Sequence, residues 1–150
     1  MSNLHEECGI FGIFSENRQN VAETVYYGLF ALQHRGQESC GIVVNDDGIF
    51  RNYKDNGLAH EVFTRHVLED LGPGNMAIGH DRYSTTGANE RINAQPIVVN
   101  HHKGRMALAH NGALTNAREL REELELLGSI FHMTSDSEVI SYMITRERLH

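Results

Sequence analysis

Apolar residues recur along this chain in two rhythms, one of period two and one of helical spacing. Over residues 8–14 (CGIFGIF) small and large apolar residues alternate, which predicts a short strand packed closely at its glycines and starting at Cys8. Over 20–33 (NVAETVYYGLFALQ), Val21, Val25, Leu29 and Leu32 fall at helical spacing and Gly36 lies shortly beyond, so this segment reads as a helix with one buried face. Two β-rich runs, 39–44 and 49–53, flank Asn45-Asp46-Asp47-Gly48; Asp-Gly favours the positive φ of a tight turn, and the pair reads as a hairpin. Residues 58–71 are predicted to form one helix, stopped by Gly72-Pro73-Gly74. A strand over 76–80 runs into the polar stretch RYSTTGANERINAQP, and strands over 97–100 and 105–110 pair across a turn at 101–104. Helices follow over 116–127 and 137–148.

Hairpins mixed with helices argue against a purely parallel β–α–β alternation and for a layered α+β domain. The 150 residues suffice for one domain with a real core, or for part of one. The last predicted helix reaches the end of the chain without a glycine stop, so the chain reads as a domain truncated at its C-terminal end.

Composition narrows the partners. With 40% hydrophobic and 22% charged residues the chain falls among ordinary globular proteins. A net charge of −7 and a pI near 5.8 provide no positive field for a phosphate backbone, so no nucleic acid partner is expected. No run approaches the ~18 to 20 apolar residues of a membrane helix, and MSNLHEE is too short and acidic for a secretory signal. No membrane partner and a cytoplasmic location are the expectation, and Cys8 and Cys40 are then expected to stay reduced. His60 and His66 are six apart, and CxxC, HExxH, GxxxxGK[ST] and GxGxxG are all missing, so the spacing predicts neither a metal site nor a glycine-rich phosphate cradle.

Cys8 alone reads as a small buried hydrophobe. Its company changes that reading. CGIFGIF, ALQHRGQESCGI, GHDRYSTTG, NAQP, AHNGALTN and SDSEVI follow in one order, and several carry polar residues that a mere core does not need. Together these blocks resemble the glutaminase domain of the amidophosphoribosyltransferases, from Glu6 to about Ile140. These are class II glutamine amidotransferases, within the N-terminal nucleophile hydrolases. QHRGQES and RYSTTG are similar to the purine-synthesis branch rather than to the glucosamine-6-phosphate synthases.

The resemblance implies a four-layer αββα sandwich with residues 8–150 as the N-terminal part of the domain and residues 1–7 as a propeptide. It also implies that glutamine is hydrolysed by Cys8, with the terminal α-amine as base. An α-amine ordinarily titrates at about pH 7.7 to 8.0, so it is substantially neutral near pH 7, and an amide nitrogen cannot take its place. By the same resemblance Asn111 and Gly112 form the oxyanion hole, Arg82 holds the substrate carboxylate and Asp136 its ammonium. Arg35, His80 and Thr85 lie in matched blocks near the nucleophile and are the further substrate-binding candidates, with Arg35 either contacting substrate or bracing the Cys8 strand and His80 reading as structural rather than catalytic. Asp136 also reads, on local sequence, as a helix N-cap, with Ser135 and Ser137 as further candidates.

Asp81 departs from the family pattern, which carries threonine or valine there; strand alternation turns it away from Arg82. Cys40, in the apolar run SCGIVV, is expected to be buried and inert. The resemblance further implies a full-length homo-oligomer with a phosphoribosyltransferase domain absent here, magnesium for that domain's substrate, and in some members an iron–sulfur cluster. Two cysteines fall short of the usual four thiolates, so no cofactor is expected in this chain. The competing reading is an unprocessed, inert fragment that serves only as a binding module.

Overall fold

A computed structural model describes residues 8–83 and 91–148. In chain order the elements are strand β1 (Gly9–Gln19), helix α1 (Val21–Leu32), strands β2 (Ser39–Asp46) and β3 (Ile49–Asn56), helices α2 (Ala59–Val62) and α3 (Arg65–Leu71), and strand β4 (Gly74–Arg82). A 3₁₀ turn (Arg91–Asn93), strands β5 (Ile97–His101) and β6 (Gly104–Leu108), and helices α4 (Ala117–Leu126) and α5 (Asp136–Glu147) follow.

Local chemistry accounts for most boundaries. The Asn20 side chain accepts from Glu23 N and so starts α1. Asp47 and Gly48 both have positive φ, 49° and 89°, as the tight turn between β2 and β3 requires. Three expectations are corrected. β1 runs on to Gln19, although its register with β4 shifts between Phe14 and Gln19. The single helix over 58–71 is two, because Phe63 leaves helical geometry (φ −95°, ψ 73°) to bury its ring beside Tyr26 and Tyr53. The Thr64 hydroxyl then caps α3 by accepting from Val67 N at 3.4 Å. β6 stops at Leu108, two residues early, and a side chain takes over its pairing, as described below.

β1, β4, β2 and β3 form one antiparallel sheet in the order β1-β4-β2-β3, and β5 and β6 form a second. One face of the larger sheet carries Cys40, Ile42, Val44 and Ala77 against Val21, Val25 and Leu29 of α1, with Ala59, Val62, Phe63 and Leu71 closing the core. Gly79 lets α1 lie on the sheet, since a Cβ there would stand 2.5 Å from Val25. The other face meets the second sheet: Val43, Phe50 and Ile78 border a small gap with Ala107 of β6. α5 packs on β5 and α4 on α5. The layers are therefore α, β, β, α, the order that the resemblance implies.

The tightest approach to the larger sheet from the segment leading into β5 falls at Gly41, where a Cβ would lie 2.2 Å from the Gln95 carbonyl oxygen. Backbone cannot yield there as a side-chain tip can. Gly41→Ala is expected to destabilise the chain by roughly 1–3 kcal/mol, read from urea unfolding; an unchanged midpoint would show that the layers are not in contact there.

Candidate active site

Three separate segments converge on Cys8. Its backbone has φ 69°, a conformation that costs a residue with a side chain about 1–3 kcal/mol unless its surroundings hold it. They do: Cys8 N donates to Arg35 O at 3.0 Å, Arg35 Nε donates to Cys8 O at 2.9 Å, and Asn111 Nδ2 donates to the same oxygen at 3.3 Å. Cys8 Sγ accepts from Tyr83 N at 3.3 Å and lies 3.5 Å from Tyr83 O. Arg35 thus braces the Cys8 backbone from the turn after α1. That turn is fixed by the Gln33 carboxamide, which donates to Gly36 O and accepts from Ala59 N at 2.5 Å.

Asn111 and Gly112 follow β6. His80, fully buried on the inter-sheet face of β4, places Nε2 3.0 Å from Asn111 Oδ1. Burial pushes its pKa down to about 4; the hydrogen bond to Asn111 and the nearby His110 backbone work against this, while the Arg82 and His110 charges add to it. Gly112 has φ 119°, a conformation open in practice only to glycine. β6 ends early because the buried Gln95 side chain replaces a strand partner: His110 N donates to Gln95 Oε1 at 2.7 Å and Gln95 Nε2 donates to His110 O at 3.2 Å. The same Nε2 reaches Ser137 Oγ at 3.1 Å, which ties the Asn111 segment to the start of α5.

Arg82 ends β4, half-buried, and no described residue pairs with its guanidinium. The cap of α5 is Ser135, whose hydroxyl accepts from Ser137 N at 3.2 Å. Asp136 is thereby free of capping: Oδ2 accepts from Leu114 N at 2.7 Å, and Oδ1 lies 4.0 Å from His110 Nδ1. Thr85 and the predicted propeptide, residues 1–7, lie outside the described residues. Sequence reasoning missed Gln95 and Tyr83. Gln95 left a trace, a polar residue at the entrance of an apolar strand; Tyr83 acts through its backbone and left none.

Behind the site, Asp81 pairs in register with Gly9 on one side and Cys40 on the other. It is fully buried, and neither carboxylate oxygen has a described partner. Burial raises its pKa from 3.8 to about 7. Cys40 is buried too, its Sγ 3.6 Å from Gly57 O, and its pKa is raised chiefly by desolvation and next by Asp81. With Cys8 in the site and Cys40 beneath α1, the described residues hold no ligand set for a metal or cluster. No helix among them is long and apolar enough to cross a membrane. Cavities of about 750 Å³ beside α1 and α3, and about 540 Å³ between β5 and α5, lie away from Cys8.

This fold, with a cysteine seated at the head of its first strand, is that of a glutamine amidotransferase domain, and residues 80–150 match the family of that description. The chain is 53% identical over 142 residues to the amidophosphoribosyltransferase of Methanocaldococcus jannaschii, covering 95% of this chain and 30% of that protein. It is 44% identical to that of Bacillus subtilis, covering 97% of this chain and 30% of that protein. The solved glutamine phosphoribosylpyrophosphate amidotransferase of B. subtilis superposes with a TM-score of 0.81 at 43% identity, over 91% of this chain and 29% of that one. A structure described as the allosteric regulatory enzyme of purine biosynthesis gives a TM-score of 0.84 at 43% identity, over the same shares. The chain belongs to the amidophosphoribosyltransferase family as its glutamine amidotransferase domain, and it spans about 30% of the length of the curated relatives it matches.

The buried Asp81 has a signed consequence for stability. Its folded pKa lies above its unfolded one, so between about pH 4 and pH 7 the folded state binds more protons. Stability contributed by this group is fully present below about pH 4 and is lost as pH rises through about 7. Asp81→Val is expected to stabilise the chain by roughly 1–3 kcal/mol at pH 8, by removing a buried polar group without described partners. It should also flatten the pH dependence, as read from urea unfolding at pH 5 and pH 8. A variant less stable than the parent at pH 8 would contradict this account.

Proposed function

We propose that this chain is the glutaminase part of an amidophosphoribosyltransferase and that Cys8 hydrolyses glutamine to glutamate and ammonia. The observation that carries the reading is the convergence on Cys8 of the Arg35 clamp, the Tyr83 backbone and the Asn111 amide.

Once residues 1–7 are removed, the Cys8 nitrogen, here an amide held by Arg35 O, becomes an amine able to take the thiol proton. Sulfur attacks the side-chain carbonyl carbon of glutamine, and the C=O electron pair moves onto oxygen. The Asn111 Nδ2 and the Gly112 backbone N–H stabilise that oxyanion, a role in which a single donor is typically worth ~10²- to 10³-fold in rate. As the intermediate collapses, the C–N bond breaks, the ammonium of Cys8 returns its proton to the leaving nitrogen, and ammonia departs. A γ-glutamyl thioester remains for water to hydrolyse. Arg82 suits the substrate carboxylate because its fork can bind two oxygens at once. Asp136 suits the ammonium, with Oδ1 less committed than Oδ2.

In the proposed full-length protein the ammonia passes to 5-phosphoribosyl-1-pyrophosphate, held with magnesium by the phosphoribosyltransferase domain. The product is 5-phosphoribosylamine, the first step of purine synthesis. The names of the relatives support this part. A homo-oligomeric assembly, and a cytoplasmic location suited to a reduced thiol, belong to the same proposal.

Intact mass before and after a glutamine-mimicking diazoketone, with peptide mapping, tests processing and competence together. The expected result is loss of residues 1–7 and a single adduct on Cys8. A chain that keeps those residues and takes no adduct is the inert binding module instead. Cys8→Ala is expected to abolish turnover, and Arg82→Ala to raise the KM for glutamine with kcat much less affected. Unchanged steady-state kinetics in both variants would overturn the assignment.

A further inference from the structure

The contacts of Asn111 determine which of its two amide atoms faces the nucleophile. Cys8 O is a carbonyl and can only accept, so the atom 3.3 Å away must be the NH₂ of Asn111. Oδ1 then faces His80 Nε2 at 3.0 Å, and because Oδ1 can only accept, Nε2 must carry a hydrogen. The ring sits on β4 at full burial, and its Nδ1 has no described partner. One direction of donation therefore runs from His80 through Asn111 to the oxygen beside Cys8.

We propose that His80 is a positioning residue for glutamine hydrolysis, whose Nε2–H locks the Asn111 amide with its NH₂ turned toward the reacting carbonyl. Without that donor only the 3.3 Å bond to Cys8 O holds the amide, and a half-turn that presents Oδ1, an acceptor, to the developing oxyanion costs less. The His80 hydrogen bond also polarises the amide and strengthens its N–H as a donor. The acceptor Asn111 Oδ1 keeps the hydrogen on Nε2, and burial holds the ring neutral over the working range, so no positive charge is placed between the sheets. A general base is not needed at this position, and geometry excludes one, since Nε2 is engaged with Asn111 rather than with the thiol. This inference rests on the oxyanion role proposed for Asn111 and assigns the residue that sets its direction.

The test uses the processed chain, with kcat and KM measured for glutamine in His80→Leu, His80→Gln, Asn111→Ala and the double variant His80→Leu/Asn111→Ala. His80→Leu is expected to lower kcat ~10- to 100-fold, less than the ~10²- to 10³-fold typical of losing an oxyanion donor outright, with KM within about twofold. His80→Gln, whose amide N–H can still donate, should recover much of the loss. His80→Leu should cost nothing further when Asn111 is already alanine, because coupled residues are not additive. Losses that multiply in the double variant, or a loss in His80→Leu confined to KM, would overturn the proposal. An Asn111→Ala variant with normal kcat would overturn the oxyanion reading itself, a different failure. Where His80→Leu does not fold, the ring ¹⁵N shifts of the parent protein decide the matter: the Nε2–H neutral tautomer near pH 7 supports the proposal, and the Nδ1–H tautomer refutes it.

Discussion

Every part of the site depends on β4 being paired along both edges. β1 lies antiparallel to it on one side and β2 on the other, from Asn45 opposite Met76 to Ser39 opposite Arg82. A strand held on both sides cannot shift register without reversing which residues face each layer. That constraint sends His80 into the space between the sheets and Asp81 beneath α1, one residue apart. It also delivers the Tyr83 backbone to Cys8 Sγ just where the ladder ends. Because β1 is aligned by the same ladder, Gly9 lies opposite Asp81 and Cys8 comes just before the first residue of that ladder.

Around this strand the site is assembled from side chains that replace missing backbone partners. Arg35 supplies both an acceptor and a donor to Cys8, stabilising a backbone conformation that residues other than glycine rarely adopt. Gln95 does the same for His110 and prolongs the pairing of β6 beyond its end at Leu108. Both devices fix a segment where it leaves the sheet beside Cys8. Asp81 stands apart from this pattern: a carboxyl buried without described partners one residue from Arg82 lowers stability at neutral pH and contributes no contact to the site.

Much of the architecture was legible in the chain because its signals are local. Alternation marked β1 and β2, the Val21-Val25-Leu29 spacing marked α1, and Asp47-Gly48 marked the turn between β2 and β3. Where a distant contact decides, local reading failed. The break at Phe63 follows from a ring drawn under Tyr26 and Tyr53, and no residue over 58–71 announces it. The cap of α5 was open among Ser135, Asp136 and Ser137, and the choice of Ser135 leaves Asp136 to Leu114, another long-range contact.

What the sequence by itself determined is the chemical inventory: an ordered set of blocks around one cysteine, an Asn-Gly pair after a strand, an arginine opening a polar stretch and an aspartate at the start of the last helix. These are identities, readable without coordinates. Direction and burial were decided only by the tertiary structure, because each depends on what two remote segments do to one another. That Arg35 grips the backbone of Cys8, that His80 points its ring at Asn111, and that Asp81 finds no partner among the described residues are outcomes of how distant segments meet. Local propensity carries no record of such meetings, since the free energy that selects them appears only when the layers close.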